Sequence, residues 1–154
     1  MVQFSEKLSD DYKEALKAGD KSRVSILRMI KAAVKNKEIE KGSSLSDDEI
    51  YAILRSFVKR AVESIEQFSK AGRTDLAAKE KEELSIMQGY LPRQLGEEEI
   101  RKLVKDIVSE TGASGMKDMG TVMKAVMAKT KGQVDGKLVN TIVKETLEPT
   151  SAAQ

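Results

Sequence analysis

The chain of 154 residues has no cysteine and no histidine. Disulfides, thiol nucleophiles, histidine-based triads and zinc sites built from these two residue types are thereby excluded. Proline occurs only at Pro92 and Pro149, so no proline interrupts long helices before residue 92. Aromatic residues make up only 4% of the chain. No run approaches the ~20 consecutive apolar residues that span a bilayer, and the N-terminus lacks the apolar core of a signal peptide. These absences lead to the expectation of a soluble, cytoplasmic protein without a membrane partner. The formal net charge is only +2, so the distribution of charge says more about partners than its sum.

What is present is charge and helical periodicity. Charged residues make up 34% of the chain, and a composition rich in Ala, Glu, Lys, Leu and Arg with a 3.6-residue period predicts an all-α fold. Phe4, Leu8, Tyr12 and Leu16 recur at four-residue spacing and predict one buried face of a first helix, from Ser5 to Ala18. Asp20 is a good N-cap for a second helix running to about Lys41, with Val24, Leu27, Ile30 and Val34 inward. Its outer face carries Lys21, Arg23, Arg28, Lys31, Lys35, Lys37 and Lys41 against Glu38 and Glu40. Ser46 and Glu49 form a capping-box pattern ahead of a third helix, whose stripe is Ile50, Leu54, Phe57, Ala61, Ile65 and Phe68. Thr74 opens a fourth helix to about Tyr90, with Leu76, Leu84 and Met87 inward. Pro92 disfavours helix at Leu91 and places a boundary within 91–96. The expected organisation is an N-terminal domain of about four helices over 1–92, a three-helix domain over 93–148 and a frayed tail over 149–154.

The second domain has three regular apolar faces. Ile100, Leu103, Val104, Ile107 and Val108 form one, Met119, Val122, Met123, Val126 and Met127 another, and Leu138, Val139, Ile142, Val143 and Leu147 the third. The methionines at 116, 119, 123 and 127 have helical spacing and are read as core, with a flexible partner groove as the alternative. Between the last two faces lies KTKGQVDGK, where Lys129, Lys131 and Lys137 surround Gly132 and Gly136. From Lys117 to Lys137 there are five lysines and two aspartates, a local excess of three positive charges. Neutralising about four phosphates there gives a slope of log affinity against log salt of roughly −3 to −3.6. The plainer reading is a solvated lysine face beside a turn.

Other residues have structural readings. Asp118 and Asp135 precede helices and are expected to cap them rather than to catalyse. Gly120 is expected to permit close helix packing, and Gly132 and Gly136 to serve turn geometry or close backbone approach. Asn140 suits either a base or ribose hydroxyl, or the end of a neighbouring helix. Gly115 to Gly120 has the outer spacing of a phosphate loop, but Thr121 and Val122 follow it and no strand precedes it, so nucleotide binding is discounted. Arg73 beside Asp75 is expected to fix the turn between the third and fourth helices. Arg28, Lys31 and Lys35 are either a second phosphate track or partners for Glu63, Glu66, Glu80, Glu82 and Glu83. No metal or cofactor is expected.

Three runs carry a resemblance: RMIKAAVKNKEI (28–39), FSKAGRTDLAAKEKEELSIMQGYLPRQL (68–95) and KDMGTVMKAVMAKTKGQVDGKLVN (117–140). In order and nearly end to end they resemble the GatB/YqeY family, and in particular its stand-alone bacterial members. The resemblance implies a helical domain followed by a smaller three-helix domain. It also implies likeness to the tRNA-contacting tail of the aspartyl/glutamyl-tRNA amidotransferase B subunit. The family's motif falls on Lys117, Asp118, Met119, Gly120, Val122, Met123, Lys131, Gly132, Asp135, Gly136, Lys137, Leu138, Val139 and Asn140. Thr121 stands where a lysine is frequent, Lys124 where a glycine is, Ala128 where a proline is and Gln133 where an arginine is.

Together these readings point to a tRNA-binding or translation-linked accessory module, not catalytic by itself. Lys117, Lys124, Lys129, Lys131, Lys137, Asn140 and Lys144 are its candidate RNA contacts, and tRNA, with an amidotransferase or another translation protein, is its candidate partner. One alternative is a protein-interaction module docking through the methionine face or the third helix. Another is the activity the family label implies, a carbon–nitrogen ligase using glutamine as amido-N-donor in association with an amidotransferase. DNA is not expected, because the last helix turns only Lys137, Asn140, Thr141 and Lys144 outward, which is thin for base readout.

Overall fold

The computed structural model describes residues 3–148, and no strand occurs among them. The elements are α1 Gln3–Ala18, α2 Lys21–Lys41, α3 Asp47–Lys70, α4 Thr74–Gln88, α5 Glu97–Thr111, a 3-10 turn Met116–Asp118, α6 Met119–Lys129 and α7 Gly136–Leu147. The chain is all-α. It packs as two compact units, Met1–Pro92 and Arg93–Gln154. The tail expected to be frayed, 149–154, lies outside the described residues.

Local chemistry sets the helix ends. Asp20 accepts a hydrogen bond from the Arg23 N–H at 3.2 Å and starts α2, and Gly42 ends it in the left-handed region at φ 78°. At the start of α3 the Ser46 hydroxyl accepts from the Glu49 N–H, while the Glu49 carboxylate accepts from the Ser46 N–H at 2.7 Å. Two otherwise unpaired amides are thereby satisfied. Lys41 joins the same carboxylate at 2.7 Å and ties the end of α2 to the start of α3. Arg73, the residue before α4, forks onto Asp75 in the first turn of that helix with two contacts of 3.2 Å.

In the first unit α1 packs along α2 and α3 along α4, and α2 also meets α4. Leu8, Leu27, Ile30, Ile50 and Leu54 are fully buried in its core. The α1 face differs from its expected form at one end. Leu16 is 50% exposed and Ala15 is buried in its stead. Four residues turn an α-helix by about 400°, so a strict four-residue row drifts by about 40° at each step. By the fourth member the row has swung out of the core, and the residue before it points inward.

All six phenylalanines and tyrosines belong to the first unit. Phe4 lies against Tyr51 with ring centroids 4.8 Å apart and meets Tyr90 edge-on at 6.2 Å. The Tyr90 hydroxyl donates to Asp11 at 2.6 Å, and Asp11 also takes Lys7 at 3.2 Å. Arg23, expected on the outer face of α2, donates to the Tyr90 oxygen at 3.5 Å.

Apart from Lys41, which Glu49 holds, the bases of α2 form no ion pair with acids of α3 and α4 among the described residues. Arg28 donates from Nε and Nη2 to the Tyr12 hydroxyl, both at 3.4 Å, and the Lys31 ammonium lies 4.7 Å from the centre of the Tyr12 ring. Among the described residues, none of Glu63, Glu66, Glu80, Glu82 and Glu83 forms an ion pair with Arg28, Lys31 or Lys35. The reason is helical geometry. Ile26, Leu27, Ile30 and Val34 claim the core-facing side of α2, which leaves Lys21, Arg28 and Lys35 on its exposed side.

Candidate nucleic-acid interface

The second unit is a small aliphatic core carrying a lysine-bearing helical hairpin. Ile100, Val104 and Ile107 of α5 meet Val122 and Val126 of α6 and Val139, Ile142 and Val143 of α7, all of them buried. Met119, Met123 and Met127 are half-buried against this cluster, as core packing requires, whereas Met116 is exposed. Ten buried aliphatic residues without an aromatic ring hold the unit together. At about 25 cal/mol per Å² of apolar surface, full burial of each Val, Leu or Ile is worth roughly 1.5–3 kcal/mol.

The turn from α6 to α7 is tightly determined. The Thr130 hydroxyl is buried and donates to the Val126 carbonyl at 2.8 Å. The Gln133 N–H donates to the Thr130 carbonyl at 2.7 Å, and Gly132 sits at φ 71°, where a side chain is strained. Val134 is buried and anchors the turn from below. Asp135 accepts from the Lys137 N–H at 3.0 Å and caps α7.

A brace that the sequence did not disclose holds the turn from the other side. The Gln94 amide donates to the Gly132 carbonyl at 2.8 Å, and the Leu95 N–H donates to the Gln133 carbonyl at 2.9 Å. Arg93, next to this brace, is forked onto Glu99 at 3.0 and 3.3 Å. That guanidinium holds the Glu99 carboxyl below its ordinary value, helped by the Gly96 N–H. No periodic signal marks Gln94, because its role depends on a contact 38 positions away.

Several expected roles are corrected by the structure. Asp118 does not cap α6 with its side chain. A 3-10 turn runs directly into that helix, and the Met119 N–H is already bonded to the Met116 carbonyl. The Asp118 carboxylate accepts instead from the Ser114 N–H at 3.0 Å and closes the preceding turn. Gly120 does not serve close helix packing, since a Cβ there would meet nothing within 4 Å. Gly136 needs neither positive φ nor close approach; it is the first residue of α7, and a Cβ there also meets open space.

The candidate RNA contacts fall into two groups. Lys117, Lys124, Lys131, Lys137 and Lys144 are exposed, and none has a carboxylate partner among the described residues. Lys129 is different: its ammonium pairs with Glu110 of α5 at 3.4 Å. Along α7, Lys137, Asn140, Thr141 and Lys144 are all exposed and follow i, i+3, i+4 and i+7, so they share one face. The Asn140 side chain has no hydrogen-bond partner among the described residues and caps no helix end there. On the neighbouring side of the same helix, Glu145 is drawn away by Arg101 of α5 at 2.8 Å. The surface therefore offers ammonium groups, an amide and a hydroxyl: groups that bind anions and sugar or base edges.

Fold and surface together define a class: an all-helical chain of two compact units, the second a small aliphatic bundle with a basic hairpin. Residues 5–147 match the family model described as Yqey-like protein. The chain belongs to that family. It is 33% identical over 143 residues to a protein of Pyrenophora tritici-repentis, covering 90% of this chain and 78% of the relative. Over 120 residues it is 29% identical to a protein of Vanderwaltozyma polyspora, covering 73% of this chain and 64% of that relative. A protein of Saccharomyces cerevisiae is 34% identical over 85 residues, which is 54% of this chain and 46% of the relative. All three are named "Altered inheritance of mitochondria protein 41, mitochondrial". The chain thus spans about three quarters of the first of these relatives and less than two thirds of the others. Their names overturn the expectation of a cytoplasmic protein, because they assign these relatives to mitochondria. These relatives are fungal and give no support to a bacterial character. Among the described residues no helix is long and apolar enough to cross a membrane.

Proposed function

We propose that the chain is a tRNA-binding accessory module linked to translation, without catalysis of its own, and that it grips phosphates through the hairpin of α6 and α7. One observation carries this reading: Lys124, Lys131, Lys137 and Lys144 on the hairpin, and Lys117 in the 3-10 turn that enters α6, are exposed without carboxylate partners among the described residues, and the hairpin turn is braced by Gln94. Cations positioned by a rigid turn lose little freedom on meeting phosphates, whereas cations already paired must first give up a partner. Support also comes from the likeness of 117–140 to the tail of the tRNA amidotransferase. Within this proposal the amidotransferase is the candidate site of any carbon–nitrogen ligase chemistry, and this chain presents RNA to it.

The test is binding of bulk tRNA at about 50 and 200 mM salt, with duplex DNA as control. Preference for tRNA, and a loss of about two decades over that range, is the expected result. The Lys131→Glu, Lys137→Glu double variant abolishes it. Undiminished binding by that variant removes the hairpin as the site.

A further inference from the structure

We infer that α2 of the first unit carries a second phosphate track, for a polynucleotide strand, separate from the hairpin of the second unit. The inference rests on the preceding reading for the identity of the polymer as RNA, and on its own geometry for the site.

The exposed face of α2 is Lys21, Ser25, Arg28, Ala32 and Lys35, at i, i+4, i+7, i+11 and i+14, and every one of these residues is exposed. From Lys21 to Lys37 there is no carboxylate on the helix. The acids of α3 and α4 that were the alternative partners for Arg28, Lys31 and Lys35 form no ion pair with them among the described residues. The three cations are about 10.5 Å apart along the axis, a line of about 21 Å at 1.5 Å of rise per residue. Ser25 and Ala32 between them are short, so a bound strand can approach the helix closely. Arg28 is oriented by the Tyr12 hydroxyl at 3.4 Å, and Lys31 rests on the Tyr12 ring.

Beside this line lies an open groove of about 350 Å³, lined by Leu16, Gly19, Lys21, Val24, Ser25 and Arg28. Its walls are aliphatic, with cations at two points and one hydroxyl. That suits a nucleobase lying against Leu16 and Val24, with its flanking phosphates on Lys21 and Arg28. The misfit of Leu16 with the core of its own helix now has a use, since the half-exposed leucine forms a wall of the groove.

The shape of the surface favours a polynucleotide over other anions. The cations make a line along one helix rather than a plane, which matches a strand; Met29 and Ile39 are also exposed on α2, so a lipid surface is the competing occupant that the vesicle probe below tests. A line of this length requires charge repeated along the ligand, which a nucleic-acid strand supplies at every residue.

The test compares the intact protein with two variants: Lys21→Gln, Arg28→Gln, Lys35→Gln on α2, and Lys131→Glu, Lys137→Glu on the hairpin. The α2 substitutions are on an exposed face and leave the core untouched. The triple variant is expected to lose roughly tenfold in affinity for tRNA, with the salt slope reduced by about 2, at ~0.7 per contact for a single strand. An unchanged affinity and slope in the triple variant overturns the α2 track, and if the hairpin variant then fails to bind, the proposed function stands without it. Loss in the triple variant alone, with the hairpin variant unaffected, supports the α2 track and removes the hairpin as the site. No tRNA binding by the intact protein overturns both. Polyglutamate and anionic phospholipid vesicles serve as competing probes. Binding to either as tight as to tRNA, and lost in the triple variant, overturns a polynucleotide as the occupant in favour of an acidic protein or a membrane.

Discussion

The hydroxyl of Tyr90 donates to the carboxylate of Asp11 at 2.6 Å, closing the first unit across 79 positions of sequence. The bond joins the segment that follows α4 to α1, and Arg23 of α2 leans on the same oxygen. Three separate elements thereby meet at one phenol.

This contact makes stability depend on pH at both extremes. The bond from Tyr90 holds the Asp11 carboxyl below its ordinary value, against the opposing effect of burial and with further help from Lys7. Burial first, and then the bond to Asp11, push the Tyr90 phenol up. A depressed carboxyl contributes stability that is present above the unfolded value, near 3.9, and lost as pH falls through the lower folded one. A raised phenol contributes stability that is present below about 10 and lost as pH rises through the higher folded value. Tyr90→Phe is expected to cost about 1–2 kcal/mol at neutral pH. In urea titrations the gap between the two proteins narrows below about pH 3.9; a gap unchanged at low pH would show that the bond does not set the Asp11 carboxyl.

Gly132 and Gly120 should respond in opposite directions to alanine. Gly132 has φ 71°, and a Cβ in the left-handed region costs about 1–2 kcal/mol. Gly120 lies in the first turn of α6, where a Cβ meets open space, and alanine there gains up to about 0.5–1 kcal/mol of helix propensity. Far-ultraviolet circular dichroism on heating is the measurement. Destabilisation by both substitutions would contradict the open space around Gly120.

Glu110 is expected to restrain RNA binding. Its carboxylate holds Lys129 at 3.4 Å on an exposed surface, where such pairs are worth only about 0–1 kcal/mol. Glu110→Gln therefore leaves stability nearly unchanged, while freeing one more cation. Affinity for tRNA should rise a few-fold, and the salt slope should steepen by about 0.7–0.9. An unchanged slope would place Lys129 outside the interface.

Gln94 separates positioning from charge. Gln94→Ala removes the bond to the Gly132 carbonyl, a loss of about 0.5–1.5 kcal/mol, without altering any cation. Affinity for tRNA should fall by up to about tenfold while the salt slope stays constant, and amide exchange in residues 130–136 should accelerate. A change in slope would mean that Gln94 itself contributes to the ionic contacts.

The helices were legible because their determinants are local. Asp20, Ser46 with Glu49, and the stripe of Val122 and Val126 each announce themselves within a few positions, and each has the predicted form in the structure. Leu16 was misread because a four-residue row drifts around its own helix. The other readings turned on a second element: Asp118 on the 3-10 turn that precedes α6, and the choice between two roles for the bases of α2 on which side the core claims. In the candidate interface the lysines were visible one by one, but the sequence could not separate Lys129, which Glu110 holds, from Lys131, which has no such partner among the described residues. The brace from Gln94 and Leu95 joins residues distant in sequence and leaves no periodic trace.

The distribution of the rings has a spectroscopic consequence. With no tryptophan, and with Tyr12, Tyr51 and Tyr90 all in the first unit, ultraviolet emission from the intact protein reports that unit alone. The second unit is optically dark. A ligand on α2 would lie beside Tyr12 and change its emission. The native chain thus carries its own dye on one half, and a fluorescence titration corrected for absorption by the ligand reports contact with the first unit without any label.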